Sequence, residues 1–165
     1  MCWFKKKQPI QPLPQLVLPY PEEAENVNAT MSNVDIKLVF EHWMINYNVP
    51  LSNVPFFKTI KLELTELPIT AGKVGTTLLF SHKWANTGVM AHEMAHIVYD
   101  LLTYIRREEF ASLYKIERET NELVNLVFRT HGYAYTNDIE AHAEIYRYLG
   151  DKMPDSLKKY YPKLF

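Results

Sequence analysis

Cysteine is almost absent from this chain: Cys2 is the only one in 165 residues. No internal disulfide can form, and a cysteine-ligated zinc site is excluded. No apolar run approaches the ~18 residues of a membrane span, so no transmembrane segment is expected. An excess of positive charge is lacking too. The formal net charge is -1, which gives none of the basic face that a nucleic-acid partner requires. The basic run Lys5-Lys6-Lys7 has no apolar stretch behind it, so "MCWFKKKQPIQPLPQ" does not read as a signal peptide. The expected address is the cytosol, or outside the cell if the chain is a processed form. Helix breakers are scarce in one region: Thr87 to Thr130 holds no proline, and its only glycine is Gly88.

What is present fits one domain with a core of its own. Five of the ten prolines fall between Pro9 and Pro21. Proline fixes φ and lacks an N–H donor, so residues 1–30 read as an extended arm and 31–165 as the folded domain. Ser32 with Asp35 three later resembles a capping box. Behind it Ile36, Val39, Phe40, Trp43, Met44 and Tyr47 recur at helical spacing, which predicts a helix over 33–47. "KTIKLELTE" alternates, with Ile60, Leu62 and Leu64 on one face, and reads as a half-buried strand. "GTTLLFSH", 75–82, is a second strand, with the turn between them near Pro68 and Gly72. Two helices are expected over 87–105 and 108–130, broken near "IRREE", and a third from Asn137 as N-cap to Gly150 as C-cap. This order indicates an α+β fold with a small antiparallel sheet backing the helices.

"GVMAHEMAHIVYD", 88–100, contains the sequence His-Glu-x-x-His. On a helix His92 and His96 project from one face, one turn apart, close enough to share a metal ion. Met90, Met94, Ile97, Val98, Leu101 and Ile105 form a separate stripe suited to packing. Glu93, beside the first histidine, is placed to take a proton from water. With 6 histidines in 165 residues, chance supplies roughly 0.02 such matches, so a zinc site is the better reading.

Zinc of this kind needs a third protein ligand and keeps one position open. Downstream candidates are Glu117, Glu119, Glu122, His131, Glu140, His142 and Glu144. His142 falls on the side of Ile139, Ile145, Tyr146 and Leu149 and reads as a packed core histidine. Glu140 and Glu144 lie one turn apart on the other face, with Arg147 beside them. Glu117 sits within the apolar stripe of Phe110, Leu113, Tyr114, Val124 and Phe128, where a carboxylate is usually paired or coordinated. "ERETNELV" looks like the "ExxAN" region of the IrrE and ImmA-type metallopeptidases. For Glu140 there is a plain alternative, a capping box with Asn137. The residues alone leave Glu117 and Glu140 both open.

"YAYTNDIEAHAEIYRYL", 133–149, resembles the closing motif of the anthrax lethal factor catalytic domain and the related Pro-Pro endopeptidases. There a tyrosine some forty residues after HExxH is followed, seven residues later, by the glutamate that completes the zinc site. Tyr133 and Glu140 have that separation. Thr136, Asn137, Ala143, Glu144 and Arg147 match as well. The resemblance, over roughly 75–150, implies a zincin-like gluzincin fold, His92, His96 and Glu140 as zinc ligands, Glu93 as general base and Tyr133 as an electrophilic helper. It implies a zinc endopeptidase acting on a peptide or protein. Two alternatives accompany it: a regulatory or binding module of little turnover, with the Pro-rich arm in its cleft, and an IrrE/ImmA-type peptidase using Glu117. Glu144 is expected to orient one of the histidines or to pair with Arg147. If 75–82 is a free sheet edge, an extended peptide can add to it as a further strand.

Overall fold

The computed structural model describes residues 18–19, 32–67, 69–82 and 85–165. The Pro-rich arm, apart from Leu18 and Pro19, and Pro68 of the expected turn lie outside those residues. Leu18 packs against the core.

Helix α1 (Asn33–Asn46) opens on the expected capping box: the Ser32 hydroxyl caps the Asp35 N–H, and the Asp35 carboxylate accepts from the Ser32 N–H at 2.7 Å. Its buried face carries Ile36, Phe40 and Trp43. A short helix, α2 (Val54–Phe57), then brings Phe57 edge-on to Trp43. Burial of such side chains contributes ~1.5–3 kcal/mol each and fixes where the sheet begins.

Among the described residues the sheet is mixed, not antiparallel, and has three strands rather than two. Strand β1 (Lys61–Thr65) pairs parallel with β3 (Thr77–Ser81), while β2 (Ala71–Val74) pairs antiparallel with β3. The order is β1-β3-β2. Gly72 lies within β2 and not in a turn. The tight turn is at Gly75, whose φ of 60 is left-handed, a conformation glycine adopts without steric cost. After β1 the chain therefore passes β3's place, forms the outer strand, and turns back into the middle. Leu78 and Phe80 of the central strand are wholly buried. The condition that 75–82 be a free edge is therefore not met; β2 is the edge on the helix α3 side.

Helix α3 (Thr87–Asp100) is capped by Asn86, whose Oδ1 accepts from the Val89 N–H at 2.8 Å. It packs against α1, β2 and α6 (Asp138–Leu149), so it is buried on nearly every side. It ends five residues earlier than expected, because Thr103 caps a new helix, α4 (Tyr104–Thr120). Leu101 and Ile105 consequently stand exposed and do not extend the packing stripe. The expected helix over 108–130 also divides, at Asn121, whose extended backbone and side chain cap α5 (Glu122–Thr130) through the Leu123 and Val124 N–H groups. Helix α6 runs between the predicted caps, Asn137 and Gly150. A last short helix, α7 (Asp155–Lys158), carries Leu157 into the core. Among the described residues, seven α-helices and a small sheet make the fold α+β. Among the described residues, no helix is long and apolar enough to cross a membrane.

Candidate metal centre

Helices α3 and α6 meet face to face, and the centre forms where they do. From α3, His92 Nε2 and His96 Nε2 point at one another, 3.0 Å apart. From α6, Glu140 Oε2 lies 3.2 Å from the first and 3.5 Å from the second. Among the described residues, these three are the group of ligand-type side chains able to hold one metal ion.

The triangle is the right size for that purpose. Ligand atoms ~2.0–2.1 Å from a tetrahedral zinc ion stand ~3.3–3.4 Å from each other. Edges of 3.0, 3.2 and 3.5 Å bracket that value. Glu140 Oε2, by contrast, is buried with no hydrogen-bond partner despite its nearness to His92.

The buried Glu144 carboxylate, one turn beyond Glu140, explains the orientation of His92. Its Oε1 lies 2.6 Å from His92 Nδ1. A carboxylate there draws the ring proton to Nδ1, which leaves Nε2 as a lone pair facing Glu140 and His96. Three electron-rich atoms then converge, an arrangement that calls for a cation. The pKa of His92 reflects this. Burial pulls it down, but the Glu140 and Glu144 carboxylates overcome burial and raise it to about 9. Burial, then the charge on His92, lowers His96 to about 4. Glu140 and Glu144 are held below the usual carboxylate range: burial opposes this, and the contact with His92 outweighs it. Both readings of Glu144 hold together, since Arg147 Nη1 also approaches Oε1, at 3.4 Å.

Glu93 stays out of the triangle. Its Oε2 is buried without a hydrogen-bond partner, and burial chiefly raises its pKa to about 7. A carboxylate poised near neutrality accepts and returns a proton readily. Tyr133 lies in a single 3-10 turn (Gly132–Tyr135) between α5 and α6, 56% exposed, its ring centroid 6.0 Å from that of His92. Burial of its hydroxyl, then the Glu140 charge, raises its pKa.

The rival ligands fall elsewhere. Glu117 accepts a hydrogen bond from the Ser156 hydroxyl and is not part of the triangle. Asn137 does cap α6 and accepts from the Glu140 N–H at 2.9 Å, yet the Glu140 side chain turns to the histidines. His142 is fully buried, stacks on Tyr161 at 3.8 Å, and donates from Nε2 to the Tyr160 carbonyl.

A cavity of ≈ 420 Å³ opens beside the triangle. Ile69, Thr70 and Ala71, leading into the edge strand β2, line it from one side; His92, Glu93, Tyr133 and Arg147 line it from the other. The role of 69–71 was missed from sequence. Nothing local marks these residues, and they reach the site only because β2 takes the outer position in the sheet. No protein-family model matches the chain, and neither a curated protein nor a solved structure does.

Proposed function

We propose that the chain is a zinc-dependent endopeptidase of the gluzincin type, with His92, His96 and Glu140 holding the ion. The observation that supports this most directly is the triangle itself: two imidazoles and a carboxylate at zinc-ligand spacing, with Glu93 buried and unpaired next to it. The donor set, two nitrogens and one oxygen with a position left open, is that of a catalytic zinc rather than a structural one. The likeness of 133–149 to the lethal factor and Pro-Pro endopeptidase motif points the same way.

A bound zinc ion supplies Lewis acidity, drawing the pKa of water toward ~7 and polarising a peptide carbonyl. The chain's own groups do the rest. Glu93 takes a proton from the attacking water and delivers it to the leaving amine. The Tyr133 hydroxyl donates to the oxygen on which negative charge develops. Glu144 fixes the tautomer and tilt of His92. An extended peptide lies along the half-buried β2 edge, adding backbone hydrogen bonds that a small-molecule substrate cannot make.

The test has two parts. Elemental analysis and zinc titration should find about one zinc per chain. Glu93→Gln should keep that zinc and abolish cleavage of a mixed peptide library. No zinc uptake ends the reading; cleavage by the variant at the wild-type rate removes Glu93 as base.

A further inference from the structure

We propose that the outer side of α1 is a self-association face, pairing antiparallel with α1 of a second copy of this chain across a twofold axis. The proposal goes beyond the peptidase reading and does not depend on it.

Helix α1 is apolar on two sides. One side, with Ile36, Phe40 and Trp43, is buried in the core. On the other, Val34, Leu38 and Ile45 are 66%, 47% and 70% exposed. Exposed apolar side chains scattered singly are ordinary on a protein surface and need no partner. These three are not scattered. Positions 34, 38, 41 and 45 recur at i, i+4, i+7 and i+11, which sets them in one line along a helix of 3.6 residues per turn. That is the spacing of a seam between two packed helices. Glu41 fills the remaining place in the line, and Lys37 stands beside it one turn back; both are exposed.

The order of residues along the line selects a second copy as the occupant. Val34 and Ile45 are equidistant from the midpoint of α1, and so are Leu38 and Glu41. A twofold axis through that midpoint therefore sets Val34 against the partner's Ile45 at both ends of an antiparallel pair. In such a pair each flank of the seam faces the same flank of the other helix. Lys37 and Glu41 share a flank, so Lys37 meets the partner's Glu41, twice by symmetry. Leu38 leans to the other flank and meets the partner's Leu38 near the axis. A contact of this kind is self-complementary and closes at two copies. A parallel pair would instead bring like charge against like at Glu41. An anionic membrane surface fits this face less well, because it favours a rim of net positive charge and Glu41 balances Lys37.

The seam is about 17 Å long at 1.5 Å per residue. One helix from each copy buries less than the ~1,200 Å² of a standard interface, so the dimer is a weak one, with a dissociation constant on the order of 10–100 μM. The residues that line the cavity beside the histidines lie outside α1, so the contact does not use the cavity.

Sedimentation velocity on the full chain, from about a tenth of that constant to ten times it, should show monomer passing to dimer and no larger species. Leu38→Lys should weaken association by roughly tenfold or more, as should Lys37→Glu or Glu41→Lys alone, each of which sets like charges face to face twice. Mixed in equal amounts, Lys37→Glu and Glu41→Lys should dimerise with one another again, because one chain is then acidic at both positions and the other basic at both. Circular-dichroism melts confirm that each variant folds; Ile45→Lys, near the end of the helix, replaces Leu38→Lys if that variant does not. A chain that stays monomeric throughout overturns the proposal, and its sedimentation with vesicles of anionic phospholipid would give the face to a membrane instead. A dimer that survives Leu38→Lys or Ile45→Lys overturns it too, placing the contact elsewhere. Charge variants that do not rescue one another overturn the antiparallel pairing and the proposal with it.

Discussion

Glu144 Oε1 stands 2.6 Å from His92 Nδ1, tying α6 to His92 of α3 in addition to the Glu140 contact. The carboxylate is 2% exposed, so the proton it draws to Nδ1 has no competitor from water. Glu144→Ala leaves that buried N–H unpaired and frees the ring to rotate. Zinc affinity, measured by competition with a chelator, should fall ~10–100-fold. Glu144→Gln, which keeps an acceptor but loses the charge, should fall less. An unchanged affinity in Glu144→Ala would mean that Glu144 serves Arg147 and not the histidine.

The two candidate glutamates separate by the same measurement. Glu140→Ala should weaken zinc binding far more than Glu144→Ala, because it removes a ligand and not a support. Glu117→Ala breaks the bond to Ser156 that ties α4 to α7. It should lower the melting temperature by a few degrees, since one hydrogen bond to a charged group contributes ~1.5–3 kcal/mol, and leave zinc affinity alone. The reverse result would favour the IrrE and ImmA-type arrangement.

Spacing along one helix was legible; partnership between distant helices was not. His92, Glu93 and His96 are fixed by a four-residue period, and the Asn137 and Gly150 caps bound α6 as their chemistry predicts. Glu117 and Glu140 could not be separated by residue pattern, because which helix lies against α3 depends on how α4 and α5 turn. That turning is set by Thr103 and Asn121, whose capping is a choice among many polar residues until the tertiary packing selects it. The sheet was misread for a related reason. Alternation gives the face of a strand but not its neighbour, so an edge strand of four residues with a glycine in it, β2, passed for a turn.

The metal-free protein should lose stability as pH rises from 7 to 9. His92 has a folded pKa of about 9 against an ordinary 6.5. Its contribution is complete below 6.5 and lost as the pH passes 9. The opposing effect of His96, lowered to about 4, is confined to pH 4–6.5. Glu93, raised to about 7 from 4.5, adds its cost mostly before pH 7. The decline from 7 to 9 is therefore His92's, on the order of 2–3 kcal/mol. Thermal melts in chelator across that range measure it. Zinc displaces the proton, so the loaded protein should not show the decline. A flat profile in chelator would show that His92 holds no proton in the folded, metal-free state.

Tyr133 is the residue whose role is most open to a single substitution. Its ring is 56% exposed, so the hydroxyl is not held in place by core packing. Tyr135 in the same turn is as exposed but has other neighbours: it lies edge-on to Phe128 at 5.1 Å and beneath Arg118. Tyr133→Phe should leave the melting temperature unchanged and zinc affinity nearly so, because the hydroxyl reaches Glu140 but is not itself one of the three ligand groups. Loss of one donor to a developing oxyanion typically costs on the order of 10²–10³ in turnover. The fall should appear in kcat rather than KM, since the bond strengthens only as charge builds on the carbonyl oxygen. A variant with wild-type kcat, set beside an inactive Glu93→Gln, would keep the peptidase and take the oxyanion role away from Tyr133.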